Sequence, residues 1–84
     1  MINAREMKIK TMEVRKRFID AELQTIENKC LETVAKEENG GSVFQCDFEF
    51  ISNEAYNILK ENDYKVDHII EEEETIGFRV SWDI

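Results

Sequence analysis

The sequence predicts an α+β domain: a long N-terminal helix followed by a β-α-β-β unit, with a three-stranded mixed sheet covered by helices on one face. Two observations support this fold class. No helix breaker occurs before Asn39-Gly40-Gly41, and three later segments alternate between apolar and polar residues. Since 84 residues suit one domain, we expect residues 1–84 to form a single unit, with the helix over about 4–38 and the β-α-β-β unit over about 42–84.

The first helix is longer than the domain it belongs to. Asn3 is a favourable N-cap, and Glu6 three residues later completes a capping-box pattern. A helix of about 35 residues spans roughly 50 Å, whereas a compact domain of this size is only roughly 30 Å across. The helix must therefore bend around the core, project into solvent or lie on another subunit.

The apolar pattern of this helix favours self-association. One face follows a heptad seam, interrupted by Lys16, that consists of Ile9, Met12, Ile19, Leu23, Ile26 and Cys30. A second apolar face exists only in the first half and consists of Met7, Val14, Phe18 and Ala21. A helix that is apolar on two sides is covered on both. We therefore predict a homo-oligomer; the alternative is a bent helix whose halves both wrap one core. The predicted interface residues are Met7, Met12, Val14, Phe18 and Ile19.

The remaining elements follow from alternation and caps. The stretch VFQCDFEF (43–50) alternates as a half-buried strand, and Ser52 caps a short helix. Residues 64–70 and 76–82 alternate again, and the charged EEEET between them predicts a hairpin tip. We expect the second helix to connect strands one and two. A central last strand would let every strand pair antiparallel.

Composition narrows the class of protein. The net charge is −8, which argues against a dedicated duplex-DNA binder. No apolar run reaches the roughly 18 residues of a membrane span, and no signal peptide opens the chain, so we expect a cytoplasmic protein that does not contact membranes. Cys30 and Cys46 form no CxxC pair and are expected to be reduced thiols.

Catalytic and metal-binding signals are weak, so we predict a non-enzyme without cofactor or metal. The single histidine, His68, lies in phase with apolar strand residues, which favours a structural role. Neither cysteine has a histidine nearby in sequence. The run of glutamates at 71–74 is typical of a solvated turn, and Gly40-Gly41 lacks the lysine of a phosphate-binding loop.

Three pieces follow the long charged helix and the Gly-rich break, namely Ser52, Glu54 and Leu59, then Tyr64, Lys65 and Val66, and finally Ser81 and Trp82. In these pieces the chain resembles small accessory proteins encoded by bacteriophages. This resemblance implies an accessory protein of the host-takeover or anti-defence type in the cytoplasm of the infected cell. Such proteins sequester immune signal nucleotides or block host enzymes by direct binding.

The charge distribution leaves two binding hypotheses. Residues 5–18 hold six bases and two acids, about +4, while the rest of the chain holds five bases and seventeen acids, about −12. In the first hypothesis the basic stretch binds a small anionic signalling nucleotide, since Arg forks suit phosphate and an aromatic ring can stack on a base. The predicted ligand-binding residues are Lys8, Lys10, Arg15, Arg17 and Phe18. The same bases could instead pair with acids of a neighbouring subunit.

The alternative function uses the acidic surface. A field of carboxylates on the sheet and hairpin tip can imitate a nucleic-acid backbone. In that case the protein would bind and inhibit a host nuclease, polymerase or CRISPR-type effector. The residues of this surface are Asp47, Glu49, Asp67, Glu71, Glu72, Glu73 and Glu74.

Overall fold

A computed structural model describes residues 1–83 and confirms the α+β class. The last position of the predicted β-α-β-β unit, 84, lies outside the described residues. The helices are α1 (Ala4–Ala35) and α2 (Asn53–Glu61), with a short 3-10 turn over Glu37–Asn39. The strands are β1 (Gln45–Phe48), β2 (Lys65–Glu71) and β3 (Glu74–Ser81).

The ends of α1 follow from local chemistry. The Asn3 side chain accepts a hydrogen bond from the Glu6 backbone N–H at 2.9 Å, which confirms the predicted N-cap. The helix ends three residues earlier than predicted because Lys36 adopts an extended backbone, with φ −70° and ψ 112°. Gly40 and Gly41 then reverse the chain with φ values of 58° and 72°, which glycine adopts without a Cβ penalty.

The sheet order is β1-β3-β2, so the predicted central position of the last strand is confirmed. Both strand pairs are antiparallel, with Val80 opposite Cys46 on one side and opposite Val66 on the other. The expectation of a mixed sheet is therefore wrong. The connection through α2 does make β1 and β2 parallel to each other, but β3 lies between them and no parallel pair forms.

The first strand is shorter than the alternation predicted. Only Gln45–Phe48 pair with β3, and Phe50 beyond them is 72% exposed. Close to the last β1–β3 pair, β3 contains a bulge at Ile76. Gly77 pairs with Ile69 and Thr75 pairs with Ile70, so Ile76 has no partner in β2. Alternation alone does not show where a partner strand ends its pairing.

The core is small and lies between one sheet face and the helices. It consists of seven buried residues, namely Ile26, Cys30, Ile51, Ala55, Leu59, Val66 and Val80. The second half of α1 and all of α2 provide the helical cover that the sequence predicted. Nothing in the first half of α1 takes part in this core.

The molecule is elongated because α1 extends beyond the body. Its extents are 58 × 32 × 19 Å and its radius of gyration is 16.3 Å, against roughly 12 Å for a compact chain of this length. Residues 4–18 of α1, which we call the projecting segment, are helical and exposed throughout. This arrangement rules out the alternative in which both halves of the helix wrap one core.

Candidate functional site: the projecting segment of α1

Two contacts fix the direction in which α1 leaves the body. The Lys29 ammonium donates a hydrogen bond to the Asp47 carbonyl oxygen at 2.7 Å and lies 4.7 Å from the centre of the Phe48 ring. Two turns earlier, the Glu22 carboxylate contacts Ser52, which follows β1 in the chain. The helix therefore runs antiparallel to β1, and the projecting segment extends past the end of the sheet at which β1 finishes.

The contact between Glu22 and Ser52 joins the two helices. The carboxylate accepts hydrogen bonds from the Ser52 backbone N–H at 3.0 Å and from the Ser52 hydroxyl. That hydroxyl oxygen in turn accepts from the Ala55 N–H at 3.2 Å, which is the predicted cap of α2. A negative charge at a helix N-terminus is favourable because of the helix dipole. The sequence predicted the cap and missed Glu22, although an acid four residues before the buried Ile26 was an available signal.

The six bases of the projecting segment form no ion pair with an acid within residues 1–83. The side chains of Arg5, Lys8, Lys10, Arg15, Lys16 and Arg17 are all exposed. Within residues 1–83 the ion pairs are Lys65 with Asp67 and Arg79 with Asp47, so none involves these bases. The positive charge of the segment is therefore available to a ligand or to a second molecule.

The bases fall on two separate faces of the helix. Lys8 and Arg15 line one side together with Met12. Lys10 and Arg17 are also seven residues apart, about 10.5 Å along the axis, and at 100° per residue they lie on the far side. The structure thus divides the predicted ligand-binding residues between two faces. Phe18, which is 74% exposed, lies between the two rows, one turn from Val14 and Arg15.

The predicted interface residues are uncovered in the single chain. Four of the five are each more than half exposed, namely Met7, Met12, Val14 and Phe18. The fifth, Ile19, is half-buried where α1 meets α2. Self-association stays a prediction, because only one chain is described. The apolar surface that motivated it is present and unpartnered within residues 1–83.

A groove runs between α1 and α2 where the projecting segment joins the body. Its outer part has a volume of about 320 Å³ and lies between Met12, Ile19 and Ile58. The charged residues that line it are two bases and two acids, namely Arg15, Lys16, Asp20 and Glu54. Its inner part, about 310 Å³, continues past Ile58 along Leu23, Glu27 and Tyr64. We call the two parts together the α1/α2 groove.

The predicted acidic surface is only partly acidic. Arg79 donates hydrogen bonds to both carboxylate oxygens of Asp47, at 2.9 and 3.2 Å, and these bonds lower the pKa of Asp47. Asp67 also faces Arg79 across the sheet and lies 3.8 Å from the Lys65 ammonium. Bases therefore interrupt the carboxylates of the sheet.

The hairpin tip keeps its negative charge. Glu71, Glu72, Glu73 and Glu74 are exposed and form no ion pair within residues 1–83. The two central residues of the turn have φ values of 51° and 66°, a left-handed conformation that side chains other than Asn, Asp and Gly seldom adopt. Glu49, also exposed, follows β1. Of the predicted acidic field, the tip is the part without compensating bases.

The candidate catalytic residues have structural surroundings. His68 is exposed and its ring lies 4.9 Å from that of Phe78. Burial raises the pKa of the Cys30 thiol to about 11, which disfavours the nucleophilic thiolate at neutral pH. No group of three or more His, Cys, Asp or Glu side chains among residues 1–83 is arranged to hold a metal ion. The prediction of a protein without catalysis stays a prediction.

Comparison of the chain with protein-family models, with curated proteins and with solved structures found no match. Within the described residues, no helix has the length and apolar character needed to cross a membrane. The function is therefore inferred from the geometry of the chain itself.

Proposed function

We propose that this chain is a binding protein that acts without catalysis and sequesters a small anionic nucleotide on its projecting segment. One observation carries this proposal: the six bases, none of which forms an ion pair within residues 1–83, share with an exposed phenylalanine a helical segment that contributes nothing to the core. Exposed charge that serves neither stability nor a neighbouring residue is available for binding.

The ligand face that best suits a nucleotide is the far side of the segment. Lys10 and Arg17 stand about 10.5 Å apart there and Val14 lies between them, while Phe18 lies one turn beyond Val14, toward the opposite row. Arg17 can bind phosphate oxygens through two parallel hydrogen bonds, and Lys10 adds a point charge for a second phosphate. The Phe18 ring offers a surface on which a base can stack.

A small ligand fits this chain better than duplex DNA. Duplex DNA would bring its phosphates close to the acidic body as well as to the segment. Screening over about 8 Å at physiological salt masks only part of that repulsion. A nucleotide touches a few groups near residues 10–18 and avoids most of it.

The proposed setting is the one that the phage resemblance implies. A phage-encoded protein of this kind would work in the cytoplasm of the infected cell and lower the free concentration of a nucleotide signal used in host defence. Stoichiometric capture of this kind needs affinity and abundance, and no catalytic group.

The test is binding of a nucleotide panel, including linear and cyclic di- and oligonucleotides, followed by thermal melting and titration calorimetry. A ligand at 100 times its Kd stabilises the folded state by about 2.7 kcal/mol and raises the melting temperature. We expect Arg17→Glu to weaken binding at least tenfold. Lys36→Glu makes the same charge change beyond the end of α1 and should have no effect. The proposal fails if no nucleotide raises the melting temperature, or if both variants bind equally well.

The hairpin tip favours a second candidate function. Its four successive carboxylates are unpaired, so they can imitate a nucleic-acid backbone toward a basic host nuclease, polymerase or CRISPR-type effector. This function predicts salt-sensitive inhibition of such an enzyme, which Glu72→Lys with Glu73→Lys abolishes and Arg17→Glu leaves intact.

A further inference from the structure

The surroundings of the heptad seam differ from one end of α1 to the other. Ile26 is buried in the core of its own chain, while Ile19 is half-buried beside α2. Ile9 and Met12 continue the same seam into solvent and are each more than half exposed. One apolar stripe therefore serves as core at one end and as uncovered surface at the other.

The two halves of α1 carry opposite charge. Residues 4–19 hold six bases and two acids, which gives +4, and residues 20–35 hold four acids and one base, which gives −3. The acids that line the α1/α2 groove are Asp20, Glu27 and Glu54. Arg15 and Lys16 of the same chain also line its outer part, so that part carries both signs of charge and the acid of the inner part, Glu27, has no base beside it in the lining. The projecting segment is an apolar stripe flanked by bases.

We propose that the α1/α2 groove binds the projecting segment of a second copy of this chain, in a reciprocal antiparallel dimer. A two-fold axis lets each copy give its basic segment and receive its partner's in return. Placing Met12 level with Leu23 of the second copy also brings Lys16 level with Ile19 of that copy, so the seams meet from Met12 to Leu23, while Ile26 stays in the core of its own chain. Arg15 and Lys16, which lie beside Asp20 and Glu54 of their own chain, then also lie near these two acids of the second copy.

The parallel alternative is electrostatically unfavourable. It would place Lys16 against Lys16 in the seam and one basic half against the other. Like charges in direct opposition are destabilising, whereas the antiparallel arrangement places each basic half beside an acidic half. Lys16, which interrupts the apolar seam, thereby selects one orientation.

This dimer leaves the Lys10 and Arg17 row on the side away from the groove. Dimer formation and nucleotide binding therefore use different faces of one segment. A substitution on one face can remove one of these properties and leave the other. Arg17→Glu should abolish ligand binding without changing the dimer.

The experiment is light scattering on the full chain at micromolar to millimolar concentration. We expect a mass about twice the 9.9 kDa of one chain. Asp20→Lys with Glu54→Lys should give monomers, and Arg15→Glu with Lys16→Glu should do the same. Combining all four substitutions exchanges the charges across the interface and should restore the dimer. Circular dichroism checks that each variant is folded.

Three results would overturn the proposal. They are a wild-type mass of 9.9 kDa at all concentrations, a dimer that the Asp20→Lys and Glu54→Lys substitutions leave intact, and a fourfold variant that stays monomeric. Orientation is tested by disulfide formation between engineered thiols. A Met12→Cys chain mixed with a Leu23→Cys chain should cross-link to each other, and cross-linking of Met12→Cys to itself would indicate the parallel arrangement.

Discussion

Replacing Glu22 by glutamine should loosen the junction between α1 and α2 and lower the stability of the whole domain. The Glu22 carboxylate accepts from both the backbone N–H and the hydroxyl of Ser52, at a site that is only partly exposed. Glutamine keeps the shape and one acceptor oxygen, but it loses the charge and offers an N–H group where an acceptor is needed.

The magnitude follows from the bonds that are lost. A hydrogen bond to a charged group contributes about 1.5–3 kcal/mol, and a buried N–H left without a partner costs about 1–3 kcal/mol. Because the site is partly exposed, we take the lower part of these ranges and expect a loss of about 2 kcal/mol. For a domain of this size that corresponds to a fall of about 8–16 °C in melting temperature.

The assay is thermal and urea unfolding followed by circular dichroism. Glu32→Gln is the matched control, since it makes the same change at an exposed position of the same helix. In a double-mutant cycle, Glu22→Gln and Ser52→Ala should couple by about 1 kcal/mol because they remove parts of one network. Equal melting temperatures for Glu22→Gln and Glu32→Gln would refute this account of the junction.

Three further outcomes can be checked on the body of the domain. A Cβ at Gly77 would lie 2.8 Å from the Phe48 carbonyl oxygen, so Gly77→Ala should lower the free energy of unfolding by about 1–3 kcal/mol in urea titrations. Since burial raises the pKa of Cys30 to about 11, alkylation of the native protein near neutral pH should spare this thiol and reach it only in urea, as mass spectrometry would show. The hydrogen bond from Arg79 lowers the pKa of Asp47 below 3.8, so its stabilising effect is present above that pH and is lost as the pH falls. Asp47→Asn should therefore flatten the acid side of the stability profile.

Local signals in the sequence predicted most of the fold. Asn3 and Ser52 define helix starts through side-chain caps, and Gly40-Gly41 defines a stop through backbone conformation. Each of these depends on neighbours within four residues. The length of α1, compared with the width of the domain, left three possible paths for the helix, and the two apolar faces of its first half favoured self-association over a helix bent around one core. Alternation located all three strands, and connection geometry placed the last one in the centre.

Contacts between distant elements could not be read in the same way. Asp47 was predicted to be part of an acidic surface. Strand register places Arg79 opposite it, and that register could not be read from the sequence. Glu22 was assigned no role from the sequence, because its partner lies thirty residues away on another element. The exposure of Phe50 depends on where β3 stops pairing. The two rows of bases follow from spacing along one helix, but the groove beside them depends on how α2 packs.

The projecting segment and its binding partners stabilise each other. An isolated helix of about 15 residues is marginal in water, and six like charges along this one weaken it further. The seven buried residues of the core lie outside residues 4–18, so contacts on the surface of the segment would add to the stability that the Asn3 cap and the continuous helix provide. A second copy in the α1/α2 groove would supply apolar burial on one side, and an anion on the Lys10 and Arg17 row would reduce the repulsion on the other. Each event orders the helix that the other requires, so dimerisation should raise nucleotide affinity and nucleotide should tighten the dimer by the same factor.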